Sequence, residues 1–245
     1  MQQRNQDKAK RVVIVGASSG IGKELALRYA AANCAVGITG RRVALLEEIQ
    51  KRFHETITVQ SFDNTKDDVT NHLNKLISKL GGMDLLIISS GVGYINTELD
   101  TTIEEGTVDL NVRSWTKIAV YAFNYFRKQG HGHLAAITSI AAIRGEGRAP
   151  SYNASKAYQA HYLEGLRKLA LYEKLNIYIT DIQPGFVKTA MAKSKNRFWE
   201  APAEKAARQI FRAIERKKKK VYITKRWWLV AQFLKIAPGW IYNRI

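Results

Sequence analysis

The sequence predicts an α/β fold in which helices cover both faces of a doubly wound parallel sheet of about seven strands. Short apolar segments alternate with amphipathic helical segments from Arg11 to Ile223, and continuous apolar strands are typical of parallel sheets. A glycine-rich turn joins the first predicted strand to the first predicted helix. No linker and no internal repeat interrupts this alternation, so we predict a single domain over residues 1–245.

The composition is ordinary for a globular protein, whereas the net charge is not. Of the 245 residues, 46% are hydrophobic and 24% are charged, which is enough apolar chain to bury a substantial core. Cys34 has no second cysteine to pair with, which excludes an internal disulfide and favours a reducing cytoplasm. The formal net charge of +18 predicts attraction to phosphate-bearing partners, such as an anionic cofactor, an anionic lipid surface or nucleic acid.

Other sequence features bear on localisation and on metal binding. Residues 1–10 form a polar tail that lacks the apolar segment of a signal peptide, and no apolar run is long enough to cross a membrane. No group of His and Cys has the spacing of metal ligands, so we predict no metal site. We predict a cytoplasmic protein, with peripheral contact at the inner face of a membrane as an alternative.

The predicted elements follow one another in the order that parallel strands require. The first strand covers residues 11–16, and a helix over residues 21–32 follows it. The later strands cover residues 34–39, 56–61, 84–88, 133–138, 176–182 and 221–223. The later helices cover residues 43–53, 66–80, 104–127, 152–174 and 203–216.

The turn after the first strand has the sequence G-A-S-S-G-I-G. Glycines let the backbone turn tightly and approach a pyrophosphate, which then lies at the N-terminus of the following helix. We therefore predict a dinucleotide site. Its predicted contacts in this turn are Gly16, Ser18, Ser19, Gly20, Ile21 and Gly22.

The end of the second strand bears on the choice of cofactor. A protein that prefers NAD places an acid here to bind the ribose 2′-hydroxyl, and this sequence has Arg41 and Arg42 instead. The guanidinium of Arg41 suits a 2′-phosphate, so we predict NADP(H) rather than NAD(H). Arg42 is interpreted as the first residue of a solvated helix.

A second set of polar residues follows the fifth strand. Ser139 ends that strand, and Tyr152 and Lys156 have i, i+4 spacing on the next predicted helix. This spacing puts the phenol and the ammonium on one face, about 6 Å apart at Cβ. A neighbouring Lys lowers the pKa of a phenol below its usual value of about 10, so Tyr152 could transfer a proton near neutral pH. Tyr and Lys at this spacing also occur by chance on many helices.

The order of these motifs resembles the short-chain dehydrogenase/reductase family over about residues 11–224. The resemblance implies a Rossmann-type domain that transfers hydride between a nicotinamide and a carbonyl or alcohol carbon. Tyr152 would be the acid/base, and Lys156 would lower its pKa and bind the nicotinamide ribose. Ser139 would polarise the carbonyl oxygen. Asn111, in a locally distorted helix, would hold a proton-relay water next to Lys156.

The resemblance also implies further cofactor contacts and an oligomer. Asp63 would bind the adenine amino group, with a helix N-cap as its alternative role. Gly91 would allow close backbone approach, although Ile88, Ser89 and Ser90 replace the Asn-Asn-Ala that the family has before it. The other implied cofactor contacts are Asn64, Pro184, Gly185, Val187 and Thr189. The predicted assembly is a homodimer or homotetramer.

Two C-terminal segments bear on the substrate and on partners. Residues 190–202 are the predicted substrate loop, which Met191, Phe198 and Trp199 would line with apolar groups. Residues 225–245 are a basic and aromatic extension, and residues 205–245 hold twelve Lys and Arg against one acid. Three interpretations remain open: packing on the substrate pocket or a dimer mate, contact with an anionic membrane, and, as the least favoured, nucleic-acid binding.

The sequence as a whole predicts an NADP(H)-dependent oxidoreductase that acts on an apolar or lipid-like carbonyl compound or secondary alcohol. The alternative is a catalytically silent NADP(H)-binding sensor or a membrane-associated scaffold of the same fold. The altered Ser89 and Ser90 segment and the basic extension motivate this alternative.

Overall fold

The computed structural model describes residues 9–189 and 198–244, and its centre is a parallel seven-stranded sheet. The strands are β1 (Arg11–Val15), β2 (Ala35–Gly40), β3 (Ile57–Ser61), β4 (Leu85–Ile88), β5 (His131–Ile137), β6 (Asn176–Pro184), β7 (Val187–Lys188), β8 (Ala201–Pro202) and β9 (Lys220–Ile223). The order across the large sheet is β3-β2-β1-β4-β5-β6-β9, and β7 and β8 form a separate parallel pair. Residues 190–197, which include Met191 of the predicted substrate loop, lie outside the described residues.

The helices connect the strands and lie on both faces of the sheet. They are α1 (Gly20–Ala31), α2 (Val43–Lys51), α3 (Val69–Leu80), α4 (Thr101–Val108), α5 (Trp115–Gln129), α6 (Pro150–Tyr172), α7 (Ala203–Glu215), α8 (Trp227–Ile236) and α9 (Gly239–Tyr242). Among the described residues, no helix has the length and the apolar content needed to cross a bilayer. The same residues bring together no group of three or more His, Cys, Asp or Glu that could bind a metal.

Two apolar clusters on opposite faces hold the sheet and its helices together. Val12 and Ile14 of β1 point to the face covered by α1, α2 and α7. Val13 and Val15 point to the face covered by α3, α5 and α6. All four valine and isoleucine side chains are fully buried, because helices pack on both faces of the strand. The prediction of a doubly wound, Rossmann-type parallel sheet is confirmed.

The sheet has a topological switch point between its first and fourth strands. β1 pairs with β2 on one side and with β4 on the other, so the chain leaves these neighbouring strands toward opposite faces. Such a divergence opens a crevice at the carboxyl ends of the strands, where ligands of doubly wound sheets bind. The glycine turn follows β1 and Ser89 follows β4, so both lie at this crevice.

The helix predicted over residues 104–127, with a local distortion at Asn111, is divided in the structure. The structure has α4, then a π-helical segment over Asp109–Ser114, and then α5. π-Helical turns are rare and are frequent at functional sites. In the middle of this one, the Asn111 side chain is hydrogen-bonded to the Val92 backbone. The predicted start of α3 at residue 66 is too early. The helix begins at Val69, because Asp68 caps it by accepting a hydrogen bond from the Asn71 amide.

Candidate active site

A crevice of about 550 Å³ lies at the switch point of the sheet. Its wall includes most of the residues that the sequence predicts as catalytic or cofactor-binding. These are Gly16, Ser18, Ser19, Gly20, Ile21, Arg41, Asp63, Asn64, Gly91, Ser139, Tyr152, Lys156, Pro184, Gly185, Val187 and Thr189. Gly22 and Asn111 do not line the crevice and instead support residues that do.

The glycine turn leaves no room for larger residues at two of its positions. Gly16 has φ +87°, and a Cβ on it would lie 2.5 Å from the backbone nitrogen of Ser90. A Cβ on Gly22 would lie 2.2 Å from the carbonyl oxygen of Gly16. Helix α1 begins in this turn and has no acidic residue in its first turn. Its positive end is therefore open to an anion in the crevice.

Arg42 is exposed and is the N-cap residue of α2, as interpreted, and its side chain in addition contacts the glycine turn. Its guanidinium donates to the Ser18 hydroxyl at 2.8 Å and to the Ser19 hydroxyl at 2.7 Å. The contact forms because β1 and β2 are neighbours, so that the residues after each strand meet at the same edge of the sheet. The sequence shows that two arginines follow β2, but it does not show which of the two contacts the glycine turn.

Arg41 extends into solvent and pairs with Asp63. Its side chain is 65% exposed, and Nη1 lies 3.7 Å from Oδ2 of Asp63. Asp63 also accepts bonds from the Thr65 amide at 2.9 Å and hydroxyl at 2.7 Å. Burial opposes ionisation of Asp63, but the Thr65 bonds and the charges of Arg41 and Lys66 together lower its pKa. A carboxylate acceptor and a guanidinium donor therefore stand side by side at this end of the crevice.

Tyr152 and Lys156 lie on the first two turns of α6, which starts with Pro150 at a position that helices favour for proline. The Lys156 ammonium lies 5.8 Å from the centre of the Tyr152 ring. It donates to the Ile137 carbonyl at 3.2 Å and to Oε1 of Gln159 at 3.0 Å. Ser139 lies close enough to the Tyr152 hydroxyl to lower the pKa of that phenol. The predicted trio of Ser139, Tyr152 and Lys156 is thus brought together at one wall of the crevice.

The pKa values of these groups differ from the sequence-based expectation. Burial raises the pKa of Tyr152 above its usual value, and the nearby Ser139 opposes this increase. Burial lowers the pKa of Lys156 to about 8, and the charge of Asp181 opposes this decrease. The net shift of the Tyr152 pKa is thus upward, whereas the sequence predicts a downward one. The hydrogen bonds of the Lys156 ammonium go to Ile137 and Gln159, and its effect on the Tyr152 phenolate stays a prediction.

Asn111 is fully buried, and its side chain is bonded to the loop after β4. Oδ1 accepts from the Val92 amide at 2.9 Å, and Nδ2 donates to the Val92 carbonyl at 2.7 Å and to the Ser155 hydroxyl at 3.1 Å. The Asn111 carbonyl accepts from Nε2 of Gln159 at 2.8 Å. The Gln159 side chain thus bridges the Asn111 carbonyl and the Lys156 ammonium, and the relay water next to Lys156 stays a prediction.

The segment after β4 keeps a side-chain contact despite its unusual residues. Asn64 donates to the Ser90 hydroxyl at 3.1 Å, which connects the loop after β3 to the loop after β4. A Cβ on Gly91 would lie 3.2 Å from the Asn111 side-chain oxygen and 3.4 Å from the Lys156 nitrogen. Gly91 thus lets the loop approach both residues closely.

The C-terminal extension packs on loops that line the crevice. Trp227 is buried against the backbone of Gly185, and its ring centre lies 5.4 Å from that of Phe186. The Tyr242 hydroxyl donates to the Gly145 carbonyl at 2.6 Å. The inner face of α8 therefore packs at the crevice, which agrees with the interpretation that this segment packs on the substrate pocket. The outer face of α8 is exposed to solvent.

Relatives of this chain have names that describe oxidoreductases. A sequence model described as short chain dehydrogenase matches residues 10–199. A Dictyostelium discoideum protein described as "Dehydrogenase/reductase SDR family protein 7-like" is 33% identical over 195 residues. The match covers 74% of this chain and 60% of that protein, so the chain corresponds to less than two thirds of the relative's length.

Solved structures with the same fold carry nicotinamide cofactors. A 3-ketoacyl-(acyl-carrier-protein) reductase from Brucella melitensis, complexed with NADH, has a TM-score of 0.80 at 20% identity and covers 89% of this chain and 98% of its own. A short chain dehydrogenase from Burkholderia cenocepacia J2315, in complex with NADP, has a TM-score of 0.80 at 18% identity and covers 97% of both chains. These likenesses concern the fold. Because the family model matches most of the chain, the protein belongs to the short-chain dehydrogenase family of oxidoreductases.

Proposed function

We propose that this protein is an NADP(H)-dependent oxidoreductase that interconverts a carbonyl group and a secondary alcohol on an apolar, lipid-like molecule. One observation carries the proposal: Ser139, Tyr152 and Lys156 line the same crevice as the glycine turn at the N-terminus of α1. A proton donor, a buried cation and an anion-binding helix end can therefore act on ligands in one cavity.

The residues of the crevice fit a dinucleotide. The glycine turn would take the diphosphate, because its backbone allows close approach and the positive end of α1 faces the crevice. Asp63 and Asn64 would bind the adenosine end. Gly91, Pro184, Gly185, Val187 and Thr189 would surround the nicotinamide end. A Cβ on Gly20 would lie 3.0 Å from the Thr189 methyl group, so the glycine turn and the segment after β6 are in contact beside the crevice.

The preference for NADP(H) rests on two arginines rather than on the structural neighbours. One neighbour carries NADH and the other NADP, so the fold alone favours neither. In this chain Arg41 offers an exposed guanidinium at the end of β2, and Arg42 adds a second positive charge beside the glycine turn. A 2′-phosphate would form charge-assisted hydrogen bonds there.

The protein groups at the reacting end have separate tasks. When held in this crevice by the glycine turn and Lys156, NADPH would supply hydride to a carbonyl carbon. The Tyr152 hydroxyl gives a proton to the carbonyl oxygen, and Ser139 donates a hydrogen bond to the same oxygen as negative charge develops there. The Lys156 ammonium stabilises the Tyr152 phenolate that remains. A proton from solvent restores the phenol, and alcohol oxidation is the reverse of these steps.

The rim of the crevice supports an apolar substrate. Tyr94 and Ile95 line one side and are 42% and 54% exposed. Phe186 lines the other side and contacts the Phe198 ring at 5.8 Å between centres. The charged residues Glu146 and Arg148 also line the wall, but they neutralise each other through an ion pair of 2.7 Å.

The catalytically silent sensor is the second candidate, and turnover distinguishes it. We expect the protein to oxidise NADPH in the presence of at least one member of a panel of medium-chain aldehydes, aryl ketones and cyclohexanones. The loss of reduced-nicotinamide absorbance measures this. If calorimetry shows NADPH binding but no member of the panel is turned over, the sensor is favoured instead. The Ser89 and Ser90 segment, which departs from the family pattern, is the reason for considering a sensor.

We also propose that the outer face of α8 and α9 contacts an anionic lipid surface. Trp228, Leu229, Phe233, Ile236 and Trp240 are exposed there, and Ile236 is 78% exposed. Lys225, Arg226 and Lys235 flank them and are exposed too. Apolar groups beside cations fit the headgroup region of an anionic membrane. Because the inner face of α8 packs on Phe186, this surface would bring the crevice close to membrane-dissolved substrates.

Co-sedimentation with phosphatidylserine-containing vesicles tests the lipid contact. We expect Trp228→Ala/Phe233→Ala to bind at least about tenfold more weakly, because burying such side chains contributes about 1.5–3 kcal/mol each. Leu171→Ala/Tyr172→Ala removes two exposed apolar residues of α6 and is the matched control. Binding should also weaken between about 0.1 M and 1 M salt.

Equal binding of the two double variants would contradict this contact. If a second copy of the chain covers the surface instead, light scattering will show that Trp228→Ala/Phe233→Ala lowers the molecular mass. The same measurement on the parent protein tests the predicted homodimer or homotetramer, which stays a prediction.

A further inference from the structure

Gln159 joins Lys156 to the backbone of the π-helical segment. Its side chain is fully buried on α6, one turn after Lys156. Oε1 accepts from the Lys156 ammonium at 3.0 Å, and Nε2 donates to the Asn111 carbonyl at 2.8 Å. Both ends of the amide are therefore engaged, which fixes its orientation as well as its position.

The support behind Gln159 is rigid. The Asn111 side chain makes two hydrogen bonds with the Val92 backbone and a third with Ser155 on α6. The Asn111 carbonyl lies within the π-helical segment and accepts from Gln159 across 48 positions of the chain. A continuous set of bonds thus runs from the loop after β4 through Asn111 and Gln159 to Lys156.

We propose that Gln159 is a positioning residue, which holds the Lys156 ammonium in its charged form and aims its remaining N–H at the crevice. An ammonium has three N–H donors, and the Ile137 carbonyl and Gln159 take two of them. Since Lys156 lines the crevice, the third donor is left for Tyr152 and the ligand. This inference rests on the proposed function, in which Tyr152 and Lys156 work together.

Few charged groups could replace Gln159 as a partner of Lys156. Asp181 on β6 is buried behind it, but its carboxylate accepts from Thr138 at 2.6 Å and from Gln183 at 2.8 Å, and it pairs with Lys220. Neighbouring charged groups have partners of their own: Glu104 of α4 accepts from the Ser151 amide, and Asp109 and Arg113 of the π-helical segment pair with each other. Loss of the Gln159 oxygen would therefore leave the ammonium poorly compensated.

The test measures the pKa of Lys156 directly, by NMR titration of its Cε in protein labelled with ¹³C-lysine. The Lys156→Arg variant identifies the signal. In the parent protein, burial lowers this pKa to about 8. Gln159→Met keeps the volume but removes the acceptor, so we expect the pKa to fall by about one unit. Gln159→Glu replaces the amide with a carboxylate, so we expect the pKa to rise.

The pH dependence of turnover gives a second measurement of the same effect. The reaction needs charged Lys156, so activity is lost as pH rises through the pKa of the Tyr152 and Lys156 pair. We expect this alkaline limit to move to lower pH in Gln159→Met and to higher pH in Gln159→Glu. A packing defect alone would not move it in opposite directions.

Leu163→Ala is the control for packing, because Leu163 is buried one turn further along α6 and has no polar contact with Lys156. It should lower the melting temperature and leave the Lys156 pKa unchanged. The inference is overturned if folded Gln159→Met keeps the parent pKa, or if both Gln159 variants shift it in the same direction. A parent protein without turnover would refute the proposed function, whereas the NMR titration would still decide the role of Gln159.

Discussion

Replacing Tyr152 with phenylalanine is expected to lower kcat by about three orders of magnitude, within the range that general acid catalysis contributes. The change removes the hydroxyl that would protonate the carbonyl oxygen. It keeps the ring, which packs closely on Gly93, where a Cβ would lie 2.8 Å from the ring. The affinity for NADPH should therefore stay nearly the same. Steady-state turnover and calorimetric titration with NADPH measure the two quantities separately.

Tyr158→Phe is the matched control for this change. Tyr158 lies on the same helix, is exposed, and shares a hydrogen bond of 2.9 Å with Thr116 away from the crevice. We expect its kcat to be unchanged. A Tyr152→Phe protein that keeps a tenth or more of the parent activity would show that another group supplies the proton, and the assignment of Tyr152 would be wrong.

Replacing Arg41 with alanine is expected to weaken NADPH binding by about tenfold or more and to leave NADH binding unchanged. A hydrogen bond to a charged group contributes about 1.5–3 kcal/mol, and 1.4 kcal/mol corresponds to a factor of ten. NADH lacks the 2′-phosphate, so its binding does not depend on a hydrogen bond from Arg41 to that group. Calorimetric titration of both cofactors against each variant measures the effect.

Two further variants make the interpretation of Arg41 specific. Arg42→Ala removes the side chain that bonds Ser18 and Ser19, so we expect it to weaken both cofactors by loosening the glycine turn. Arg52→Ala removes an exposed charge just past the end of α2 and should change neither affinity. If Arg41→Ala reduces NADH and NADPH affinity equally, then Arg41 does not select the cofactor.

The sheet could be predicted because its central strands are recognisable without their partners. Residues 12–15 and 85–88 are apolar at every position, since helices cover both faces of the sheet there. The glycine turn was recognisable for a local reason as well. Gly16 and Gly20 have positive φ, a conformation that favours residues without Cβ. The placing of Ser139, Tyr152 and Lys156 in one cavity follows from this topology and from helical spacing.

The rest depends on contacts between residues far apart in the chain. Asn111 is anchored by Val92, 19 positions away, and the distortion of the helix at Asn111 was implied by the family resemblance rather than by a local pattern. Nothing in the sequence distinguishes Gln159 from the other polar residues of α6, because its contact with Asn111 forms only when α6 packs against the π-helical segment. The upward shift of the Tyr152 pKa also depends on burial, which the i, i+4 spacing of Tyr152 and Lys156 does not reveal.

Transfer of deuterium tests the central claim most directly, because it follows the reacting atoms in this crevice. The measurement uses NADPH deuterated at both C4 positions, with the carbonyl panel as substrates and mass spectrometry of the products. The account predicts an alcohol with one deuterium on its carbinol carbon in the parent protein, and none above background in Tyr152→Phe. Tight binding of NADPH without deuterium transfer to any carbonyl compound would contradict the account and favour a sensor.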